Sequence, residues 1–244
     1  MKTCLFVGPT LHGEATPSGI RRFGPAAMGS VFRAVEAGYR RIGIVDGHFG
    51  NVPSVWHKEI LFAISKGVEV TGAASMGALR AAELYPFGMI GVGRIYRLFR
   101  SGLLNDDDEL AVIHAPEELG FCPLSDAMVN VRFTLRRQRR LGVVDTRTEQ
   151  ALVRHMKSLH FSGRTRGEFE RHVLRIVGHQ EAGRIVGSYA REYVDAKRAD
   201  AQALVRWITR RAPTSRPLRE WRFPATRYWH KQFEREIADV PPLQ

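Results

Sequence analysis

The chain opens with short apolar runs separated by amphipathic stretches of helix length. Residues 5–7 (Leu5, Phe6, Val7), residues 42–45 and the run begun by Val68 and Val70 are apolar, bounded by polar or turn-forming residues, and predict buried strands. Between them, residues 26–37 predict a helix closed by Gly38. Residues 53–66 predict another, with Ser54 near its start and Gly67 after its end. Residues 12–22 are polar, contain Gly and Pro, and predict an irregular loop. Residues 91–101 predict a short helix with Ile95, Leu98 and Phe99 inward and Arg94, Arg97 and Arg100 more exposed, and residues 110–113 a strand. After Pro123 the pattern is helical. Residues 181–211 predict one long helix or two in line, on the spacing of Ile185, Tyr189, Tyr193, Leu204 and Ile208. The tail, residues 221–233, interleaves aromatics with Arg222, Arg227 and Lys231.

Strands that alternate with helices imply an α/β fold, a small, mostly parallel sheet with flanking helices in Rossmann-like order. A helical C-terminal region follows. Ligands of such sheets gather beyond the carboxyl ends of the strands. Three such ends, residues 8–10, 46–48 and 72–75, are therefore expected in one place.

Residues 68–84 form the centre of this pattern. A strand passes through Gly72, Ala73 and Ala74 into a good helix former, and Ser75 stands at the joint. The first N–H groups of a helix lack intrahelical partners and carry partial positive charge. Ser75 is then either an N-cap or a nucleophile whose oxyanion faces the N–H groups of Met76 and Gly77. The two roles turn the hydroxyl differently, since a cap points it inward.

A serine nucleophile needs a base, and no Ser-His-Asp order is evident. Lys58 projects from the residue 53–66 helix between Leu61 on one side and Phe62 with Val55 on the other. Desolvation there disfavours the ammonium form, and a neutral lysine can take the proton of a serine. The alternative is an edge lysine whose amine reaches water; His57 and Glu59 are rival bases. Arg80 either pairs with Glu83 three residues on or faces an anionic ligand. Asp46 orients Lys58, binds a ligand, or forms an Asp-Gly turn. The acidic run Asp106, Asp107, Asp108, Glu109 lacks calcium-loop spacing and reads as a solvated turn or a docking patch for a basic partner rather than a metal site.

The 244 residues carry a net charge of +12. Residues 1–130 hold 12 Lys/Arg and 13 Asp/Glu, residues 131–244 hold 25 and 12. The shift near residue 130 signals a boundary, and the basic part attracts acidic partners or nucleic acid unless it is simply a solvated surface. The two cysteines, Cys4 and Cys122, make neither a metal-spaced pair nor a disulfide framework. No apolar run is long enough to span a membrane, and the N-terminus reads as a first strand, not a signal peptide. A cytoplasmic, reduced protein is the expectation. No phosphate-binding Gly-rich motif follows a strand, which argues against nucleotide binding.

Several blocks together resemble one known family. They are Gly8-Pro9-Thr10-Leu11, Asp46-Gly47-His48-Phe49, Ser54-Val55-Trp56-His57-Lys58-Glu59-Ile60, Gly72-Ala73-Ala74-Ser75-Met76-Gly77-Ala78-Leu79-Arg80-Ala81-Ala82-Glu83 and Asp107-Asp108-Glu109-Leu110-Ala111-Val112. Over residues 5–141 the chain resembles the TfuA-like core proteins, with Gly29-Ser30 standing where the family has Gly-Asp. The resemblance implies a core domain over residues 1–141 and a basic helical region over residues 142–244. It implies a partner of a YcaO enzyme in backbone thioamidation of ribosomal peptides, which hydrolyses a thiocarboxylated ubiquitin-like sulfur-carrier protein and helps YcaO engage the peptide substrate. The family's Ser-Lys pair falls on Ser75 and Lys58. Met76 and Gly77 then hold the oxyanion, Arg80 assists the anionic substrate, and Asp46, Thr10 and His57 position ligand, with no cofactor and no metal. Two other readings remain open: a non-catalytic YcaO adaptor, and a Clp-protease-like or crotonase-like serine acyl hydrolase, for which His114 is the only nearby histidine. Nucleic-acid binding by the basic half is disfavoured.

Overall fold

The computed structural model describes residues 1–50, 52–212 and 221–235. The chain forms two compact units, Met1–Leu103 with Ala199–Gln244, and Leu104–Arg198. The chain leaves the first unit after Leu103 and returns to it at Ala199.

In the first unit, β1 (Thr3–Phe6), β2 (Ile20–Phe23), β3 (Arg41–Ile44), β4 (Glu69–Gly72) and β5 (Ile90–Gly91) make one five-stranded sheet in the order β2-β1-β3-β4-β5. Every pair is parallel, with Phe6 opposite Ile44 and Ile44 opposite Gly72. β3 and β4 are buried along their whole length, as strands covered on both faces must be. Helices α1 (Ser30–Glu36), α2 (His57–Ser65) and α3 (Met76–Leu84) cross from β2 to β3, β3 to β4 and β4 to β5. All three crossovers advance toward the same sheet edge, so right-handed connections set them on one face. α4 (Arg94–Arg100) follows β5. The sequence expectation of an alternating parallel β/α core holds.

In the second unit, α5 (Met128–Arg140), α6 (Thr146–Ser158) and α7 (Arg166–Arg191) bury Met128, Leu135, Leu152, Phe169, Ile185 and Tyr189 together. α8 (Ala196–Arg210) begins in this unit and ends in the first. In the first unit, its Leu204 and Ile208 pack with Leu5, Val7 and Val45. A Cβ at Gly43 would lie 2.7 Å from Ile208 Cδ1 and 2.8 Å from Leu5 Cδ1, so glycine lets that helix seat on the sheet.

Some elements depart from the sequence expectation. Residues 110–113 form no strand. Ile113 donates its N–H to Ser125 Oγ at 3.0 Å, and the neighbouring pairing is a single bridge between His114 and Pro123. An apolar run without a sheet edge to join stays irregular. Ile20–Phe23 does join an edge, beside β1, although it reads as loop. Of the one or two helices expected over residues 181–211, two form. The break falls before Ala196, where Asn130 Oδ1 accepts the Ala196 and Lys197 N–H groups at 3.0 and 3.3 Å. The first of them starts already at Arg166, capped by Thr165, and kinks at Gly178 with φ of 73°.

Two of the tail aromatics, Trp229 and Phe233, are core, while Tyr228 is exposed. A short helix, α9 (Arg227–Trp229), runs on as a π-helical turn, His230–Arg235. Trp229 and Phe233 pack with Phe32, and Trp56, Phe62 and Phe223 close around them. The Trp229 ring centre lies 5.2 Å from Phe62 and 4.9 Å from Phe223.

Candidate active site

The three strand ends meet, and Asp46 joins two of them. Its buried carboxylate accepts the N–H groups of Gly8 and Thr10 on Oδ2 at 2.9 and 3.0 Å, and the Thr10 hydroxyl on Oδ1 at 2.6 Å. Gly8 and Thr10 belong to the turn beyond β1, and Asp46 follows β3. β1 and β3 are neighbours from which the chain departs in opposite directions, so this lock sits at the sheet's switch point. Asp46 therefore positions the β1 loop, and among the described residues no hydrogen bond joins it to Lys58.

The third end carries Ser75. Ala74 has φ of 64°, a left-handed conformation that costs a residue with a Cβ about 1–2 kcal/mol. The Ser75 N–H turns back to the Ala73 carbonyl at 2.8 Å, while its own carbonyl accepts the Ala78 N–H at 2.9 Å. Ser75 is thus the helix's N-terminal residue by backbone, yet its hydroxyl makes no capping bond. Ala73 and Ala74 pack on the α8 side with Val45 and Leu204. Three residues after Ala74, Gly77 lies against Ile44 and Gly72. The chain crosses the sheet end at Ser75, and the small residues before it make that crossing possible. A Cβ on Gly77 would lie 1.8 Å from the Ile44 carbonyl oxygen, and one on Gly72 2.0 Å from that of Gly77.

The expected oxyanion donors are not equivalent. Gly77 N–H donates to the Val45 carbonyl at 3.1 Å, which removes it from the pair. Met76 N–H, at the first position of α3, has no acceptor among the described residues.

Lys58 leaves the start of α2 half-buried, but it does not meet Ser75. Its amine donates to Thr226 Oγ1 at 2.8 Å and lies 5.9 Å from the centre of the Phe223 ring. Among the described residues no hydrogen bond joins it to Ser75. The rival bases are committed elsewhere. Glu59 is fully buried and accepts the N–H groups of Gly29, Val31, Phe32 and Trp56 at 3.1, 2.9, 3.3 and 2.8 Å. It holds the start of α1 and of its own helix, which makes Trp56, not Ser54, the residue that opens α2; Ser54 donates to the His48 carbonyl instead, at 2.7 Å. Burial pushes the Glu59 carboxyl up to about 7, against the pull of those four donors. His57 Nε2 pairs with Glu83 Oε2 at 2.7 Å. Arg80 bonds the same carboxylate at 2.8 Å and donates to the Val55 carbonyl at 3.0 Å. Burial acts to raise the Glu83 pKa, but His57 and Arg80 outweigh it and hold the group below its ordinary range. Arg80 thus ties α3 to the segment entering α2, the salt bridge of the two expectations.

The acidic run, in the second unit, is a turn in which Asp106 and Asp107 are exposed while Asp108 and Glu109 are drawn into ion pairs. Lys157 lies among Asp106, Asp108 and Glu109, Arg164 bonds Asp108, and Arg132 holds Glu109 in a two-pronged bond at 2.9 and 2.8 Å. These three acids bring carboxylate oxygens within 4.8 Å of one another, but an ammonium already stands there.

Sequence reasoning did not find Thr226 or the strain at Ala74. The first lies 168 residues from Lys58, beyond any local pattern. For the second, the run of small residues is the only trace.

No curated protein matches the chain. Residues 46–165, just under half of it, match the family model described as TfuA-like protein.

Proposed function

We propose that the chain, whose residues 46–165 match the TfuA-like family model, serves a YcaO enzyme in peptide backbone thioamidation, releasing sulfide from a thiocarboxylated ubiquitin-like sulfur-carrier protein. The observation that supports this reading best is the Ser75 elbow. A strained residue precedes the serine, its hydroxyl makes no capping bond, and the open N–H of Met76 lies one residue on. Strain of this kind clusters at functional sites.

In this reading Lys58 swings from Thr226 toward Ser75 and takes the hydroxyl proton as a neutral amine. Ser75 Oγ bonds to the carrier's terminal thiocarboxylate carbon while Met76 N–H stabilises the oxyanion. The C–S bond then breaks, and sulfide leaves with the proton held by Lys58. Water adds to the resulting ester and returns a carboxylate and the free serine. Arg80 is held by Glu83, so cationic assistance falls to the N-terminus of α3 and the basic surface of the first unit.

A second reading is favoured by Lys58 resting on Thr226 and by the burial of Ser75: a non-catalytic adaptor that docks to YcaO. Sulfide release from a thiocarboxylated carrier, followed for wild type and Ser75→Ala, separates the two. Catalysis by Ser75 predicts loss of release in the variant. Thioamide formation that persists undiminished with Ser75→Ala supports the adaptor.

A further inference from the structure

The resting place of Lys58 is built by the tail of the first unit. Thr226 is the N-terminal residue of α9, and its Oγ1 accepts the Trp229 N–H at 3.3 Å as well as the Lys58 amine at 2.8 Å. The segment is anchored just beyond, where Trp229 and Phe233 are each 2% exposed. The Phe223 ring stands beside the amine on the other side of Thr226 in the chain. A hydroxyl that accepts and an aromatic face both attract the amine and hold it where it is.

We propose that residues 221–235 act as a strap that holds the Lys58 amine away from Ser75, with Thr226 as the positioning residue, and that the site becomes active when this contact is released. The proposal rests on the Ser75–Lys58 reading for its consequence, but not for the contact itself. The occupant of the α1–α2 surface is this chain's own aromatic tail, seated through Phe32 and Phe62. Release means exchange of the bond to Thr226 for one to Ser75, while the anchor of Trp229 and Phe233 stays or lifts.

Two probes on the full chain test it. The first is acetylation of Lys58 by acetic anhydride, read by mass spectrometry. Thr226→Val removes the acceptor but keeps the shape, and is expected to speed acetylation about tenfold, the equivalent of one hydrogen bond to a charged group. Thr226→Ser restores the hydroxyl and is expected to react as wild type does. Phe223→Leu, which removes the aromatic face beside the amine, gives a second route to the same gain should Thr226→Val fold poorly. The second probe is labelling of Ser75 by a fluorophosphonate, with and without Lys58→Ala. Acetylation that is equally fast in wild type, Thr226→Val and Phe223→Leu overturns the strap. Faster acetylation, together with Ser75 labelling that ignores Lys58→Ala, leaves the strap standing and overturns the Ser75–Lys58 reading. Faster acetylation with Lys58-dependent gain in labelling supports both.

Discussion

Ala74 holds its backbone at φ of 64°, and Ser75 follows it with a hydroxyl left out of the helix cap. A β-branched side chain tolerates that conformation worst. Ala74→Val is expected to lower the stability of the first unit by roughly 1–3 kcal/mol, read by thermal unfolding. Glu59 is the other residue whose environment sets its behaviour. Burial raises its carboxyl from 4.5 to about 7, so the native state holds the proton more tightly than the unfolded chain. The resulting stabilisation is present below the unfolded value and is lost as pH rises through the folded one. Melts across that window are expected to show a fall on the order of 3 kcal/mol. Glu59→Gln is expected to flatten the slope. It also costs roughly 1–3 kcal/mol in acid, because an amide NH2 then faces backbone donors. None of this was legible at Glu59 from its neighbours. Its acceptors are filled by Gly29, Val31 and Phe32, some 30 residues earlier in the chain. Ser75, by contrast, announced itself through a strand, a run of small residues and a helix former in succession.

At the scale of elements, the joint between β4 and α3 depends on backbone contact where no side chain fits. Gly77→Ala would press a Cβ against the Ile44 carbonyl, and Gly72→Ala against that of Gly77. Each is expected to unseat the start of α3, to cost several kcal/mol as overpacking does at its upper range, and to abolish any activity of Ser75. A circular dichroism melt and a Ser75 labelling assay check the two consequences separately. The order of strands and crossover helices was readable because apolar runs and amphipathic stretches alternate along residues 5–84. The strand expected at residues 110–113 was not made, since periodicity records burial but not whether a neighbouring edge exists. The acidic run misled for a related reason. Its four acids look solvated in sequence, while Lys157, Arg132 and Arg164, which pair with three of them, come later in the same unit. Burial acts to raise the Asp108 pKa, but Lys157 and Arg164 outweigh it and hold it low, so their contact weakens only in strong acid.

At the scale of the whole molecule, the charge belongs to a different part than the linear halves suggest. The first unit, with its two segments, carries 21 Lys/Arg and 11 Asp/Glu, and the second 16 and 14. The excess thus travels with Ser75 rather than with the helices that begin at residue 128. Association with an acidic carrier is expected to weaken steeply between low and physiological salt, measured by titration calorimetry, and charge reversal of exposed arginines of the first unit is expected to reduce it more than reversal in the second. The tail contributes to the same unit. Trp229→Ala is expected to cost about 3–5 kcal/mol through the lost aromatic packing. Among the described residues no helix is long and apolar enough to cross a membrane.

Sulfide release from a thiocarboxylated carrier bears most directly on the chemistry assigned to Ser75 and Lys58. Wild type is expected to release sulfide, Ser75→Ala to fall to the uncatalysed rate, and Lys58→Ala to lose on the order of a hundredfold or more, as removal of a general base does. Release at the wild-type rate by either variant, folded as wild type is, would contradict the assignment of that residue.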